Sequence, residues 1–151
     1  MKRVLCSGGF DPLTTGHLDY LLGALEHGSF LIVAVNSDEW LFRKKGYVLM
    51  PFEDRKRIVM SIRDVHMVTG VVDHDDTVCE ALYRLKPDVF ANGGDRTTPN
   101  VAEDAACRAL GVKQVFNVGG RKTRSSSDLV ARMWKRNRQD DDIVKEYMKA
   151  K

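Results

Sequence analysis

The feature that most narrows the fold is an alternation. Short β-branched and apolar runs are followed by stretches with apolar residues at helical spacing, and the pattern repeats along the chain. Phe30–Val35 (FLIVAV) is the clearest run. An unbroken apolar run leaves no polar face, as expected of a strand buried on both sides of a parallel sheet. Arg3–Cys6, Val65–Val72, Asp88–Ala91 and Val112–Val118 supply further strands. Gly16–His27 carries Leu18, Leu21, Leu22 and Leu25 at helical spacing and stops at Gly28. Helices are likewise predicted over Glu53–Arg63, Thr77–Lys86, Val101–Leu110, Ser125–Asn137 and Asp141–Lys149, with Lys44 and Lys45 in a loop. Strand–helix alternation implies an α/β, Rossmann-like three-layer fold: a mainly parallel five-stranded sheet with right-handed crossovers. The length of 151 residues suits a single domain.

In such sheets ligands bind at the carboxyl ends of the strands, at the switch point. Three glycine- or serine-rich segments fall directly after predicted strands: Ser7–Gly9, Asn92–Asp95 and Gly119–Ser127. They therefore converge on one sheet edge. In the first, glycines let backbone approach phosphate, and the helix opening near Gly16 aims its free N–H groups there. His17 stands in that first turn, with a ring nitrogen available to a phosphate oxygen. In the last, Ser125, Ser126 and Ser127 open a helix beside Arg121, Lys122 and Arg124. Hydroxyls and N–H groups next to cations make an anion site, or simply a helix cap beside a solvated basic face.

Composition restricts the partners. Net charge is +3, but residues 121–151 hold ten Lys/Arg against five Asp/Glu, and the first 120 hold 14 against 16. A basic C-terminal part points to an anionic ligand or nucleic acid. Nucleic acid would call for aromatic stacking partners, and Arg121–Arg138 offers only Trp134, which argues against that partner. Trp134 itself reads as core or interface, and Asp140–Asp142 as a helix start. Three cysteines, Cys6, Cys79 and Cys107, stand too far apart for a zinc knuckle or disulfide framework, and read as buried thiols. No apolar run approaches the roughly 20 residues of a membrane helix, and the short run after Met1-Lys2-Arg3 is not that of a signal peptide; the expectation is a cytoplasmic protein with no membrane partner.

The string Gly8-Gly9-Phe10-Asp11-Pro12-Leu13-Thr14-Thr15-Gly16-His17 resembles the GxFDPxTxGH signature of the nucleotidyltransferase superfamily that includes cytidylyltransferases and phosphopantetheine adenylyltransferase. Thr14 stands where cytidylyltransferases have a first histidine. Arg121 and Ser126-Ser127 resemble the RTxGIST motif of cytidylyltransferases, with Arg124 in place of its glycine; the serines are equally similar to the ISSS motif of the phosphopantetheine enzymes. Val35-Asn36-Ser37-Asp38, Lys45-Gly46, Glu53–Lys56 and Lys86–Phe90 running into Gly93-Gly94-Asp95 resemble the glycerol-phosphate cytidylyltransferase and heptose-phosphate adenylyltransferase group.

This resemblance implies transfer of CMP or AMP from a nucleoside triphosphate to a small phosphorylated alcohol or sugar, with release of pyrophosphate. The alternatives are a phosphopantetheine-type adenylyltransferase and a catalytically idle nucleotide-binding protein. It implies His17, Lys45, Arg121 and Thr14 as catalytic residues. Nucleotide contacts fall to Gly9, Phe10, Asp11, Gly16, His17, Lys44, Arg55, Gly93, Gly94, Asp95, Arg121, Ser125, Ser126 and Ser127, and acceptor contacts to Asp11 and Asp38. Mg²⁺ is expected with the triphosphate, held by phosphate oxygens and water rather than by dedicated protein ligands. The resemblance also implies a homodimer.

Overall fold

A computed structural model describes residues 1–94, 96–121 and 125–150; the side chains of residues 137, 139–141, 143 and 144 lie outside the description. Five strands form one all-parallel sheet: β1 (Arg3–Gly8), β2 (Phe30–Val35), β3 (Met67–Gly70), β4 (Val89–Gly93) and β5 (Lys113–Val118). Their order is β3-β2-β1-β4-β5. The chain steps outward from β1 to β3, then returns across the sheet to β4. The switch point therefore lies between β1 and β4.

The two-residue strand period divides the core. Val4 and Cys6 of β1, with Val33 and Val35 of β2, face α1 (Thr15–Ala24) and α3 (Phe52–Met60). Leu5, Ile32, Ala34 and Phe90 face α4 (Cys79–Leu85) and α5 (Val101–Leu110). Both sides of β1 and β2 are thus covered, as the FLIVAV run requires. Helix starts follow the capping residues: Thr14 for α1, Ser37 for α2 (Asp38–Lys45), Asn100 for α5 and Ser125 for α6 (Ser126–Lys149) each accept a backbone N–H.

Several expectations change. Asp38–Lys45 is a helix, not a loop. Only Leu41 of it is buried, so it carries no apolar periodicity. Its signals were the Ser37 cap, acidic Asp38 and Glu39 in the first turn, three cations in the last, and Gly46 beyond at φ 81°. The C-terminal part is one helix of 24 residues rather than two. No Gly or Pro stands between Asn137 and Asp141 to break it, so Asp140–Asp142 falls inside the helix, not at its start. β3 is shorter than the Val65–Val72 run. Trp134 is 60% exposed, not core, and Cys79 is only half-buried. No described helix is long and apolar enough to cross a membrane.

Tyr20 of α1 closes the switch point. Its hydroxyl accepts from the Ser7 N–H at 3.2 Å and donates to the Ala91 carbonyl, joining the ends of β1 and β4. The packing leaves no room for a side chain at two glycines. A Cβ on Gly93 would lie 2.7 Å from the Tyr20 ring, and one on Gly119, itself at φ 83°, would lie 2.6 Å from the Tyr20 backbone nitrogen. Burial pushes the neighbouring Cys6 thiol up to about 12 and the Tyr20 phenol well above its ordinary value.

These raised values predict alkaline sensitivity. The unfolded chain releases the Cys6 proton near pH 9, while the folded chain holds it to about 12. Stability is therefore full below pH 9 and is lost as pH rises through that window, by about 1.4 kcal/mol per pH unit for each such group. Urea unfolding at pH 8, 9 and 10 should show this fall, shallower in Cys6→Ala. Equal slopes in the two proteins would remove Cys6 from the account.

Candidate active site

A cavity of about 370 Å³ opens at the carboxyl ends of β1 and β4. Its wall takes Ser7–Phe10 from the end of β1, Gly16, His17, Asp19 and Tyr20 from α1, and Asn92–Gly94 from the end of β4. Gly119, Gly120 and Arg121 come from the turn after β5, and Trp40 and Lys45 from α2. All three segments expected after strands thus reach one site, each by its glycines.

The β1–α1 turn sets the histidine. Phe10 is buried at φ 52°, a strained conformation for a bulky residue. Its ring meets the His17 imidazole edge-on, with centroids 5.0 Å apart. The Thr14 N–H donates to His17 Nδ1 at 2.9 Å, while Thr14 Oγ1 accepts from the His17 N–H at 3.4 Å. This reciprocal capping box fixes the tautomer: Nδ1 is the acceptor, so Nε2 carries the proton. An N–H donor is thereby set beside the first turn of α1, where backbone N–H groups and the helix dipole already favour an anion.

Arg55 has a different place from the one expected. Its side chain is fully buried. Nε donates to the Met50 carbonyl at 2.9 Å, Nη1 to Gly9 and Asn36 carbonyls at 2.8 Å each, and Nη2 to Asp38 Oδ1 at 2.6 Å. Asp11, also fully buried, accepts from the Leu49 and Met50 N–H groups at 2.7 and 2.8 Å. Together they clamp the α2–α3 loop under the ends of β1 and β2. Arg55 and Asp11 thus spend these donors and acceptors on the protein itself, on backbone groups and the Asp38 carboxylate, and neither lines the cavity where the expectation had placed them. Asp38 is drawn to Arg55 and lies off the cavity wall.

Other expectations are corrected by placement. Thr14 caps α1 and orients His17; it is not on the cavity wall. Lys44 is exposed, with its ammonium 5.9 Å from the Trp40 ring centroid, whereas Lys45 lines the cavity. Ser125 caps its own helix at the Asp128 N–H, and Ser126 Oγ donates to the Pro12 carbonyl at 2.8 Å, so both hydroxyls serve the fold. Ser127 is exposed and not on the wall. Gly9, Phe10, Gly16, His17, Lys45, Gly93, Gly94 and Arg121 do line the cavity. Asp95 and Arg124, with Lys122 and Thr123, lie outside the described residues.

The sequence reading missed a polar cluster on the opposite wall. Arg96 pairs with Glu103 at 2.8 Å and donates to Asn92 Oδ1 at 3.0 Å. Asp76 also lines the cavity and is held by Arg43 at 3.1 Å. A signal for Glu103 existed: it shares a helix stripe with Ala106, Cys107 and Leu110, a charge where an apolar residue is expected.

Comparison with known proteins agrees with this architecture. The profile of the Cytidylyltransferase-like family matches residues 5–143. The chain belongs to that family. It is 36% identical over 115 residues to the D-beta-D-heptose 1-phosphate adenylyltransferase of Bordetella bronchiseptica, covering 74% of this chain and 70% of that protein. It is 34% identical over 117 residues to the Bifunctional protein HldE of Gluconobacter oxydans, covering 76% of this chain but only 24% of that longer protein. With the FAD synthase of Picrophilus torridus it shares 27% identity over 135 residues, 87% of this chain and 95% of that one. The crystal structure of the lipopolysaccharide core biosynthesis protein from Thermoplasma volcanium superposes with a TM-score of 0.67 at 22% identity, over 81% of this chain and 99% of that one, which is a likeness of fold.

The Arg55 clamp predicts a stability phenotype. Arg55→Ala leaves three carbonyls and a carboxylate without their donor, and should cost about 3–5 kcal/mol of unfolding free energy, read by urea denaturation. A variant of unchanged stability that had lost nucleotide binding would return Arg55 to ligand contact.

Proposed function

We propose that this protein transfers a nucleotidyl group, CMP or AMP, from a nucleoside triphosphate to a small phosphorylated alcohol or sugar and releases pyrophosphate. The observation that carries the reading is the His17 Nε2–H donor, fixed by Thr14 at the N-terminus of α1, in a glycine-lined cavity with Lys45 and Arg121 on its wall. An oxygen of the acceptor phosphate attacks the α-phosphorus. The new P–O bond forms as the bond to the bridging α,β-oxygen breaks, and pyrophosphate leaves with that electron pair. No nucleophile from the protein is required; catalysis is positioning and charge stabilisation.

The residues divide that task. Glycines 9, 16, 93, 94, 119 and 120 let backbone approach the phosphates. His17 donates to an oxygen on the α- or β-phosphate, and Lys45 and Arg121 offset the charge that grows on the leaving group. Mg²⁺ fits as a companion of the triphosphate, whose charge it would partly neutralise. Among the described residues no three His, Cys, Asp or Glu gather into a cation cage, so phosphate oxygens and water would supply most of its ligands. Relatives named as adenylyltransferase and FAD synthase make ATP the first arm of a test and CTP the second.

The test is pyrophosphate release with Mg²⁺, crossing ATP and CTP with a panel of sugar and polyol phosphates. Release with one pair is expected; no release with any pair, phosphopantetheine included, would overturn the reading. With the active pair, His17→Ala should lower turnover by about 10²–10³, because one preorganised donor is lost, and should cost about 1 kcal/mol of stability through the lost Thr14 cap bond without unfolding the protein. Near-normal turnover would sink that role.

The two lysines separate in the same assay. Lys45→Ala should reduce turnover by about a hundredfold, as expected for losing a charge at the phosphates, while Lys44→Ala keeps it within about twofold because an exposed lysine contributes little. The reverse ranking would assign the role to Lys44.

A further inference from the structure

The proposed reaction brings two phosphates together, and like charges in one cavity call for separate cations. His17 stands on the α1 face of the sheet, the side of Val4 and Cys6. Arg96 and Glu103 belong to the opposite wall, where α5 packs on the Leu5 and Phe90 side. Arg96 is held there by a built frame. Its Nη1 donates both to Glu103 Oε2 at 2.8 Å and to Asn92 Oδ1 at 3.0 Å. The Glu103 side chain is 3% exposed, and its other oxygen accepts the Val78 N–H at 3.1 Å. The arginine's own side chain is 40% exposed and lines the cavity. With Nη1 used, Nε and Nη2 have no partner among the described residues. A part-exposed guanidinium on a cavity wall, with one nitrogen anchored to a buried carboxylate, is preorganised for a planar or tetrahedral oxyanion.

Resting on the nucleotidyl-transfer reading, we propose that Arg96 is the acceptor-phosphate anchor: its Nε and Nη2 hold non-attacking oxygens of the acceptor's phosphate monoester, while Glu103 and Asn92 fix the guanidinium. The substrate class is then set by charge. An alcohol without phosphate leaves Arg96 unanswered, so the acceptor must bring its own phosphate.

Inorganic phosphate serves as the probe. Trp40 on the cavity wall reports binding by fluorescence once Trp134, exposed on α6, is replaced by Phe. The full-length protein is saturated with α,β-methylene ATP or CTP, which fills the triphosphate site and cannot be cleaved, and phosphate is titrated in. Arg96→Ala strands the buried Glu103 carboxylate, so it is compared with Arg96→Ala/Glu103→Gln, in which that charge is also removed, and with Arg96→Lys, which keeps a cation but loses the fork. The expected result is a rise in phosphate Kd of about tenfold or more in both alanine variants and a smaller rise in the lysine variant, with the Kd of the analogue changed less than about twofold. Equal weakening of analogue and phosphate would assign Arg96 to the nucleotide and overturn the proposal. Unchanged phosphate affinity in all three variants, or no saturable phosphate binding by the parent, would also overturn it. A parent protein that binds phosphate through Arg96 but binds no triphosphate would overturn the nucleotidyl-transfer reading and leave the anion site standing.

Discussion

The site depends on one fully buried guanidinium. Arg55 joins the carbonyls of Gly9 after β1, Asn36 after β2 and Met50 in the α2–α3 loop, and it pairs with Asp38 at the start of α2. Carbonyls at the carboxyl ends of parallel strands have no neighbour to continue the ladder, and buried ones require a donor. One arginine satisfies two of them and a loop carbonyl, and brings a helix start as well. A second clamp lies beside it. Asp73, 2% exposed, accepts from Asn36 Nδ2, the Ser37 N–H and Ser37 Oγ, and so fixes the same β2–α2 turn from the other side. The frame below the cavity is thus polar and fully paired; among the described residues no buried side-chain nitrogen or oxygen lacks a partner. A loosely paired network would leave the turns free to shift, and phosphate chemistry tolerates little displacement.

The glycines at the cavity serve two masters. Gly93 and Gly119 are where backbone could approach a phosphate, and they are also where Tyr20 passes too close for any side chain. Tyr20 ties β1 to β4 at the switch point, and it belongs to the helix whose first turn carries His17. The spacing between the strand ends and the histidine is therefore governed by the packing of one aromatic ring. This coupling explains how the His17 donor in α1 can stand beside a loop that contains a strained Phe10: the strain is held by the α1 packing behind it.

How much of this was legible follows from which signals are local. The five strands were visible because a parallel sheet buries both faces and so writes apolar runs into the sequence. The convergence of three segments was visible because it follows from sheet topology alone. His17, Lys45, Arg121 and the glycines of the cavity wall could be named from their positions after strands and from motif resemblance. Local signals failed where a long-range partner decides. Nothing near Ser126 announces that its hydroxyl serves Pro12, 114 residues away. Asp11 fell into the same class of error, since its partners Leu49 and Met50 are brought in by a helix that lacks apolar periodicity.

Arg55 and Glu103 show what a finer reading of the same sequence contains. Arg55 stands on the stripe of α3 that carries Phe52 and Val59, and Glu103 on the stripe of α5 that carries Ala106 and Cys107. A charge on an inward stripe has either a ligand or the protein as its counterpart, because an unpaired buried charge is too costly. Motif resemblance alone favours the ligand. Burial separates the two cases: Arg55 has every nitrogen engaged by carbonyls or Asp38, whereas Glu103 spends its charge on an arginine that still faces the cavity. The fully buried charge builds the frame, and the cations that line the cavity, Lys45, Arg121 and Arg96, stand one layer outward, where the proposed reaction would use them. Cations of the first kind must be immobile to hold the turns. Those of the second must stay partly solvated so that phosphates can exchange with water and leave.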